Sequence, residues 1–412
     1  MESDRRAFLA GAGALAAGLL GQCRTPGTTP AAGGDRWTRA RAGIPLAPDL
    51  AYFNTGGLGP APGPVLEAVR RSTRELAATG ETGHHLVERI RRKAAAFLGC
   101  RERELGFTRS ATESMNHIAR GLPLQEGDQV LLTTHEHPGG AIPWFTLARD
   151  LKLRVESVEP HTDPGILLDR LEKLRTPRTR VVSLSHITCT TGALLPVREV
   201  AAWCRGRGLL AVVDGAQALG QVPVRPRELG CDAYAASGHK WLLGPRGTGL
   251  LWLREEMLDR WRPCFGGAYV DREFDLGSGR LETIAAARAV EYGTRNIPLL
   301  VGLGEAFRLV RRLGPEAIAR RGAALAARCR RLLEDAGYRI LTPAPAGSIT
   351  TFVPRRATAD PGALASRLRR EHRVRVRPVT EAGLRGLRVS THWFNTEEEL
   401  DRLLAALRRE EG

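Results

Sequence analysis

Lysine is scarce in this chain, and its scarcity makes each lysine informative. Lysine and arginine together number 61 of 412 residues, yet the only lysines are Lys93, Lys152, Lys173 and Lys240. The formal net charge is +16, and the arginines that produce it are spread along the chain rather than gathered in one arm or tail. Composition therefore disfavours nucleic-acid binding. A basic binding protein that works through this charged surface is kept as an alternative from another functional class.

The cysteines lack the spacing of a metal site or of a disulfide framework. They are Cys23, Cys100, Cys189, Cys204, Cys231, Cys264 and Cys329. Their number is odd, no C-x-x-C pair occurs, and none is spaced with histidine as zinc ligands are. We predict no metal site, and we expect most of these thiols to be small buried apolar groups.

The apolar run near the N-terminus is shorter than the about 20 residues that a stable membrane span needs. Arg5 and Arg6 precede Phe8 and Leu9 and a Gly/Ala-rich run over residues 11–23. This arrangement resembles a twin-arginine (Tat) export signal. We therefore expect residues 1–30 to be a Tat-like signal and linker and the protein to be exported or periplasmic, with a cytoplasmic location as the alternative.

Apolar runs that alternate with amphipathic segments predict an α/β fold. The predicted strands lie in 129–137, 180–187, 208–216 and 231–239, and helices are predicted over 164–175 and 196–207. Such alternation is typical of βαβ units in a doubly wound, mostly parallel sheet. After residue 297 the composition changes to long Arg/Ala/Leu helices. The predicted organisation is an entrance segment over 31–60, a large domain over 61–297 and a smaller α+β domain over 298–412.

The polar residues that need explanation follow the ends of these strands, where open α/β sheets bind ligands. Asp214 ends the apolar run LLAVVD, and a carboxylate there needs a partner because an unpaired buried charge is costly. Ser237, His239 and Lys240 follow the next strand. In a chain that otherwise uses arginine, a lysine at this place fits imine chemistry, which arginine cannot perform.

The segments VVDGAQALG (212–220) and SGHKWLLGPRGTG (237–249) resemble the cofactor segment of the class V aminotransferase group. These are fold type I enzymes that depend on pyridoxal 5′-phosphate (PLP), among them cysteine desulfurases, isopenicillin-N-epimerase-like proteins and kynureninases. The resemblance runs from about Tyr52 to Leu404. It implies PLP as the cofactor and a small amino acid as the substrate.

The resemblance also implies a role for each matching residue. Lys240 would hold PLP as a Schiff base, and Asp214 would pair with the pyridinium nitrogen so that the ring can accept electrons. Gln217 would hydrogen-bond the ring hydroxyl. The residues implied at the phosphate are Ala111, Thr112, Ser237 and His239, the first two at a helix N-terminus, where phosphate is favoured.

Two further residues are implied at the ring. Alignment on Pro143 and Trp144 makes His137, not His135, the residue that stacks on the ring, and we count it with Lys240 and Asp214 as catalytic. Thr188 would face the ring edge where desulfurases carry asparagine, which resembles the epimerase-like branch instead.

Three more residues complete the implied site. Thr294, in the segment 291–296, would reach the phosphate of a neighbouring subunit, which implies a homodimer. Arg388 would bind the substrate α-carboxylate through a bidentate pair. Asn54 belongs to the loop that would cross the substrate entrance.

The reaction itself stays open at this point. Desulfurases use a nucleophilic cysteine shortly before the carboxylate-binding arginine, and no cysteine follows Cys329 here. Persulfide-forming desulfuration is therefore disfavoured. Transamination is our default, with β-elimination of a C–S bond and epimerisation as alternatives, and His117, His135, His186 and His392 as candidates for a second acid/base. A degenerate, non-catalytic PLP-fold binding protein is the remaining alternative.

Overall fold

A seven-stranded sheet organises the chain, and its strands are almost completely buried except for the edge strand Arg154–Val158. The computed structural model describes residues 36–356 and 360–412, and residues 43–412 form one compact unit. The strands of this sheet are β2 (Leu105–Thr108), β3 (Gln129–Thr133), β4 (Arg154–Val158), β5 (Thr179–Ser185), β6 (Leu210–Asp214), β7 (Ala233–Ser237) and β8 (Gly249–Leu253).

The order of these strands is β2-β8-β7-β6-β5-β3-β4. Strands β4, β3, β5, β6 and β7 pair in parallel, while β8 is antiparallel to both of its neighbours. Because helices cover both faces of such a sheet, its central strands are continuous apolar runs. The predicted α/β class and mostly parallel sheet are confirmed.

Helices flank the sheet and begin close to the strand ends that matter for the site. Those up to β8 are α2 (Gly63–Thr79), α3 (His84–Leu98), α4 (Ala111–Gly121), α5 (Pro138–Leu151), α6 (Pro164–Leu174), α7 (Val197–Arg205) and α8 (Pro226–Leu229). Helix α4 packs on β7, β8 and α5, and α7 packs on β6. The buried Met115, Ile118 and Trp144 fix α4 and α5 on the core, each side chain contributing about 1.5–3 kcal/mol.

A second, four-stranded antiparallel sheet is built from the C-terminal part of the chain. Its order is β11 (Arg339–Ile340), β12 (Ile349–Val353), β15 (Gly386–Ser390) and β14 (Arg377–Val379). The helices that accompany it are α9 (Ile297–Leu313), α10 (Pro315–Asp335), α11 (Pro361–His372) and α12 (Glu397–Glu411). This part has its own apolar core, which includes Phe352, Leu387 and Leu400. The predicted boundary between 297 and 298 stays a prediction.

Two small strand pairs and one helix lie apart from the two main sheets and the helices that flank them. Strand β1 (Ala51–Tyr52) pairs in parallel with β13 (Val374–Arg375), which joins the N-terminal part of the unit to its C-terminal part. Strands β9 (Asp271–Asp275) and β10 (Arg280–Thr283) form an antiparallel hairpin, and β9 is exposed along its whole length. Helix α1 (Arg36–Arg41) belongs to a separate N-terminal unit that ends at Ala42.

The Tat-like signal lies outside the described residues, so export stays a prediction. Within the ranges 36–356 and 360–412, no helix combines the length and apolar character needed to cross a bilayer.

A buried ion pair holds the segment that precedes α9. Glu291 is 3% exposed and accepts hydrogen bonds from Arg91 (2.8 Å) and from the backbone N–H of Phe107 (2.8 Å). Arg295 forms a further salt bridge to the same carboxylate. Because an unpaired charge in such a place costs several kcal/mol, this cluster fixes the turn that contains Thr294.

Candidate active site

The carboxyl ends of β6 and β7 meet the N-termini of α4 and α5 around a cavity of about 240 Å³. We call it the lysine cavity. Its lining includes most of the predicted site residues, namely Ala111, Thr112, His137, Asp214, Gln217, Ser237, His239, Lys240 and Arg388. Residues far apart in sequence converge here because parallel strands end at one edge of the sheet, where their connecting loops meet.

Lys240 follows β7 in a tight loop that also contains Leu243, a non-glycine residue with a positive φ of 58°. A Cβ on Gly59 would lie 2.0 Å from the Lys240 carbonyl oxygen, so the N-terminal loop crosses directly over the lysine backbone. Burial lowers the pKa of the Lys240 ammonium, while the nearby Asp214 carboxylate acts in the opposite direction. The net lowering favours a neutral amine, the form that attacks a carbonyl carbon.

Asp214 ends β6 and is 6% exposed. One of its carboxylate oxygens accepts a hydrogen bond from the backbone N–H of Ala216 at 2.9 Å. The other oxygen lies 2.8 Å from the place where a Cβ on Gly140 would be. Because Gly140 has no side chain, the first turn of α5 passes close to the carboxylate and leaves it facing the lysine cavity.

The N-terminus of α4 forms the anion-binding end of the cavity. Ser110 caps this helix by accepting from the Glu113 N–H at 3.2 Å. The Ala111 N–H points to Ser237 Oγ, at a long 3.4 Å, and His239 lines the same cavity. Free backbone N–H groups, a hydroxyl and the positive end of the helix dipole together suit a phosphate group.

Gln217 and His137 line the walls of the same cavity. The Gln217 amide donates to the Gly56 carbonyl at 2.9 Å and accepts from Trp241 Nε1 at 2.8 Å, which fixes its orientation. His137 caps α5, its Nδ1 accepting from the Gly139 N–H at 2.9 Å. The neutral ring therefore carries its proton on Nε2. Burial and then the Lys240 charge lower the pKa of His137, so the ring is kept neutral.

Arg388, in β15, is 1% exposed. It donates to the Cys189 carbonyl at 2.7 Å and more weakly to Asn54 Oδ1 at 3.4 Å, and its Nε has no partner among the described residues. Burial, followed by the charge of Arg377, lowers the pKa of Arg388 to about 10. A buried guanidinium with free donors is arranged for an anion such as a carboxylate.

The structure does not bring Thr188 into the lysine cavity, and its predicted place at the ring edge stays a prediction. Its hydroxyl accepts from the Ala193 N–H at 3.0 Å and bonds the Thr191 hydroxyl at 2.9 Å, so it closes a turn and does not line the lysine cavity. The neighbouring Cys189 interacts electrostatically with both Lys240 and Arg388. The sequence analysis treated Cys189 as a buried apolar group; it does not line the lysine cavity either, but its thiol lies within electrostatic range of the lysine.

Two other predicted residues lie beside the lysine cavity rather than in it. Asn54 lines an adjoining cavity and is tied to the site through Arg388. Thr294 lines a separate cavity of about 330 Å³ together with Arg109 and Tyr292. That placement leaves its predicted contact with a neighbouring subunit as a prediction.

The four histidines considered as a second acid/base have other partners. His186 bonds the Tyr234 hydroxyl at 2.9 Å and His392 bonds the Trp241 carbonyl at 2.8 Å, and burial lowers their pKa values to about 4 and about 3. His135 bonds Thr190, and His117 bonds the thiol of Cys264. None of the four lines the lysine cavity in the part of the chain that the structure describes.

Glu136 is a functional candidate that sequence reasoning missed. Its carboxylate accepts from the N–H of Ser185 (3.0 Å), from the Ser185 hydroxyl (2.6 Å) and from Thr133. Burial raises the pKa of Glu136 to about 7, with Asp214 adding to the effect and these hydrogen bonds opposing it. The only available signal was a carboxyl between two histidines in the run THEH, and this signal is weak unless the neighbouring strand is known.

The residues of the lysine cavity fit PLP. They provide a lysine for its aldehyde, a carboxylate for its ring nitrogen and a helix N-terminus for its phosphate, three different groups in one cavity. The space between them is kept open by Gly56 and Gly140, where a Cβ would lie within 3.0 Å of Gln217 and 2.8 Å of Asp214. Fold and site together define a fold type I PLP-dependent enzyme.

Comparison with known proteins leads to the same class. Residues 64–403 match the family described as Aminotransferase class-V, and this chain belongs to that family. It is 34% identical to isopenicillin N epimerase of Streptomyces clavuligerus, over 90% of this chain and 97% of that protein. The expected PLP dependence and enzyme class are confirmed.

Solved structures agree with this assignment. The apo cysteine desulfurase of Thermococcus onnurineus superposes with a TM-score of 0.82 at 26% identity, covering 90% of this chain and 97% of that one. The cystine C–S lyase C-DES, solved with its product cysteine persulfide, superposes with a TM-score of 0.77 at 26% identity, covering 87% and 97%. These relatives perform different reactions on one fold, so family membership leaves the reaction of this chain open.

The raised pKa of Glu136 predicts a specific pH dependence of stability. In the unfolded chain this carboxyl ionises near pH 4.3, whereas in the folded chain it stays protonated to about pH 7. Its stabilising contribution is therefore full below about pH 4.3 and is lost as the pH rises towards 7, by roughly 3 kcal/mol. Glu136→Gln should flatten that part of the profile, measured as the denaturation midpoint from pH 4.5 to 8.

The control for this measurement is Glu316→Gln, because Glu316 is exposed in the first turn of α10. The control should keep the wild-type pH profile. If the stability of Glu136→Gln changed with pH in parallel with that of the wild type, the raised pKa of Glu136 would be contradicted.

Proposed function

We propose that this chain transforms an amino acid with PLP bound at Lys240, and that transamination is its reaction. The observation that carries the proposal is one cavity in which a buried lysine, the Asp214 carboxylate and the N-terminus of α4 face the same space. The pair of Lys240 and Asp214 argues against a degenerate protein without catalysis. A surface-charge function would not require a desolvated lysine with a lowered pKa.

Each residue has a distinct task in this proposal. PLP, when bound, supplies an electron sink for the electron pair left on the substrate α-carbon. Lys240, whose pKa is lowered by burial, would hold the cofactor and then carry the proton of the α-carbon. Arg388 would bind the α-carboxylate and so orient the α-carbon towards Lys240, because its guanidinium is held by the Cys189 carbonyl.

Epimerisation is the second candidate, and Cys189 is the observation that favours it. An epimerase must remove a proton from the α-carbon and return one from another direction, which requires a second proton carrier. Burial raises the pKa of the Cys189 thiol, while Arg388 and Lys240 act to lower it, so the thiol carries a proton at neutral pH. The similarity to isopenicillin N epimerase supports this candidate, and the C–S lyase relative supports elimination as a third.

Removal of the cofactor lysine is the direct test of the site. Lys240→Ala should lose the yellow colour of the PLP-loaded protein and reduce turnover by roughly a thousandfold, because the proton carrier is gone. The measurement is the visible absorbance spectrum together with kcat. Lys93→Ala, on the exposed side of α3, is the matched control and should keep both. An unchanged chromophore in Lys240→Ala would contradict the assignment of this lysine.

The reaction is tested by following amino nitrogen. The protein loaded with PLP is incubated with ¹⁵N-labelled amino acids and a 2-oxo acid, and mass spectrometry locates the label. Transamination predicts that the label moves to the 2-oxo acid. Label released as ammonia would establish elimination instead, and label retained in an inverted donor would establish epimerisation.

We also propose a homodimer in which Thr294 contacts the phosphate of the partner subunit's cofactor. Its support is the position of Thr294 beside Arg109, outside its own lysine cavity, and an exposed hairpin on which Phe274 and Leu276 are 58% and 83% exposed. Apolar side chains exposed together are typical of an interface.

Sedimentation should give twice the mass of one chain, which is 44.8 kDa. The variant Thr294→Ala should weaken PLP binding roughly tenfold, because one hydrogen bond to a charged group is lost. Thr82→Ala, at an exposed position, is the control. A monomer that binds PLP with full affinity would exclude the dimeric site.

A further inference from the structure

A second cavity adjoins the lysine cavity and is strongly basic. It has a volume of about 260 Å³ and lies between α11, β13 and β14. We call it the arginine vestibule, and the polar side chains that line it are Asn54, Ser366, Arg369, Arg370, Arg375 and Arg377. None of the described residues in its lining is acidic. The vestibule therefore concentrates positive charge in a concave space.

The two cavities are continuous through Arg377. This residue lines both of them, and its Cα is paired directly with that of Arg388 across β14 and β15. Side chains of directly paired residues lie on the same face of an antiparallel sheet, where like charges repel each other. Glu381 neutralises Arg377 in part through a salt bridge, but Arg388 has no carboxylate partner in the described structure. Anions bound on this face would relieve the repulsion.

The arginines beside the vestibule differ in their partners from those that line it. Arg367, in α11, and Arg373, which directly follows α11, form salt bridges to Glu410 and Asp49. Across residues 36–356 and 360–412, by contrast, Arg369, Arg370 and Arg375 form no salt bridge. Among the described residues, three of the four arginines that line the vestibule thus lack a salt bridge, and the fourth, Arg377, is paired with Glu381.

We propose that the substrate is an amino acid whose side chain ends in a second anionic group, which the arginine vestibule binds. The inference rests on the proposed function. The α-carboxylate would bind Arg388, and the α-amino group would face Lys240. The side chain would pass Arg377 into the vestibule. Arg375 and Arg370 would bind the distal anion, so that the substrate is held at both ends.

The test compares matched acids and amides on the PLP-loaded protein. The pairs are aspartate and asparagine, glutamate and glutamine, and 2-aminoadipate and its side-chain amide. Each pair differs in charge at nearly constant shape, and the series varies the length of the side chain. Dissociation constants come from the absorbance change on binding, and kcat and KM are measured separately. At least one acid should bind about tenfold tighter than its amide, because charged hydrogen bonds are replaced by neutral ones.

The variants are Arg375→Gln and Arg370→Gln, with Arg331→Gln as the control. Arg331 is exposed on α10 and does not line the vestibule. Each vestibule variant should raise KM and Kd for the acid about tenfold, leave the amide unchanged and leave kcat within about twofold, since it acts on binding alone. The control variant should keep the preference for the acid. Rising salt should weaken binding of the acid more than binding of the amide.

The outcomes separate the two proposals. Equal affinity for acid and amide across all three pairs, or a preference that survives Arg375→Gln and Arg370→Gln, would overturn the vestibule as an anion site and leave the proposed function standing. Failure of every amino acid to change the absorbance or to turn over would overturn the proposed function, and the vestibule proposal with it.

Discussion

The burial of two cations beside one carboxylate is the constraint on which the site depends. Lys240 and Arg388 are removed from water, and Asp214 is the acidic residue that lines the cavity with them. Such an arrangement is costly to a folded chain, because burial of charge is offset only by well-placed partners. The cost explains why the lysine amine is driven towards its neutral form and why the guanidinium keeps free donors. The site is arranged to bind anions rather than to stabilise the fold.

The backbone segments around these cations pack closely against the site residues. Glycines at 59 and 140 let two separate segments approach the lysine carbonyl and the Asp214 carboxylate to distances that a Cβ would prevent. The helices α4 and α5 begin at capped residues, Ser110 and His137, so their N-termini are fixed before any ligand arrives. Preorganisation of this kind means that little reorganisation is needed when charge develops at the reacting centre.

Sequence alone predicted the parts of the site that follow from local chemistry. Asp214 could be recognised because it ends an apolar strand, and Lys240 because it follows one in a chain with few lysines. The mostly parallel sheet followed from the same strands. The position of Thr188 could not be predicted, since it depends on a turn in which its hydroxyl bonds the Thr191 hydroxyl and the Ala193 N–H.

The arginine vestibule escaped sequence reasoning for a different reason. Its arginines resemble the many others in the chain, and only the register of β14 on β15 and the packing of α11 bring them beside Arg388. Glu136 was missed similarly, because its partner Ser185 is 49 residues away in sequence. Long-range register is set by the packing of the whole fold, which a local pattern does not contain.

The contacts between the two ends of the compact unit also have a consequence for biosynthesis. Asn54 contacts Arg388 across 334 residues, and the Tyr52 carbonyl accepts from Asn395 across 343 residues. A nascent chain on the ribosome therefore lacks the carboxylate-binding wall of the site until almost all of it has been translated. Contacts of such high sequence separation form late in folding. Cofactor capture in a finished site is thus a post-translational event, and cellular PLP must meet the completed chain rather than the growing one.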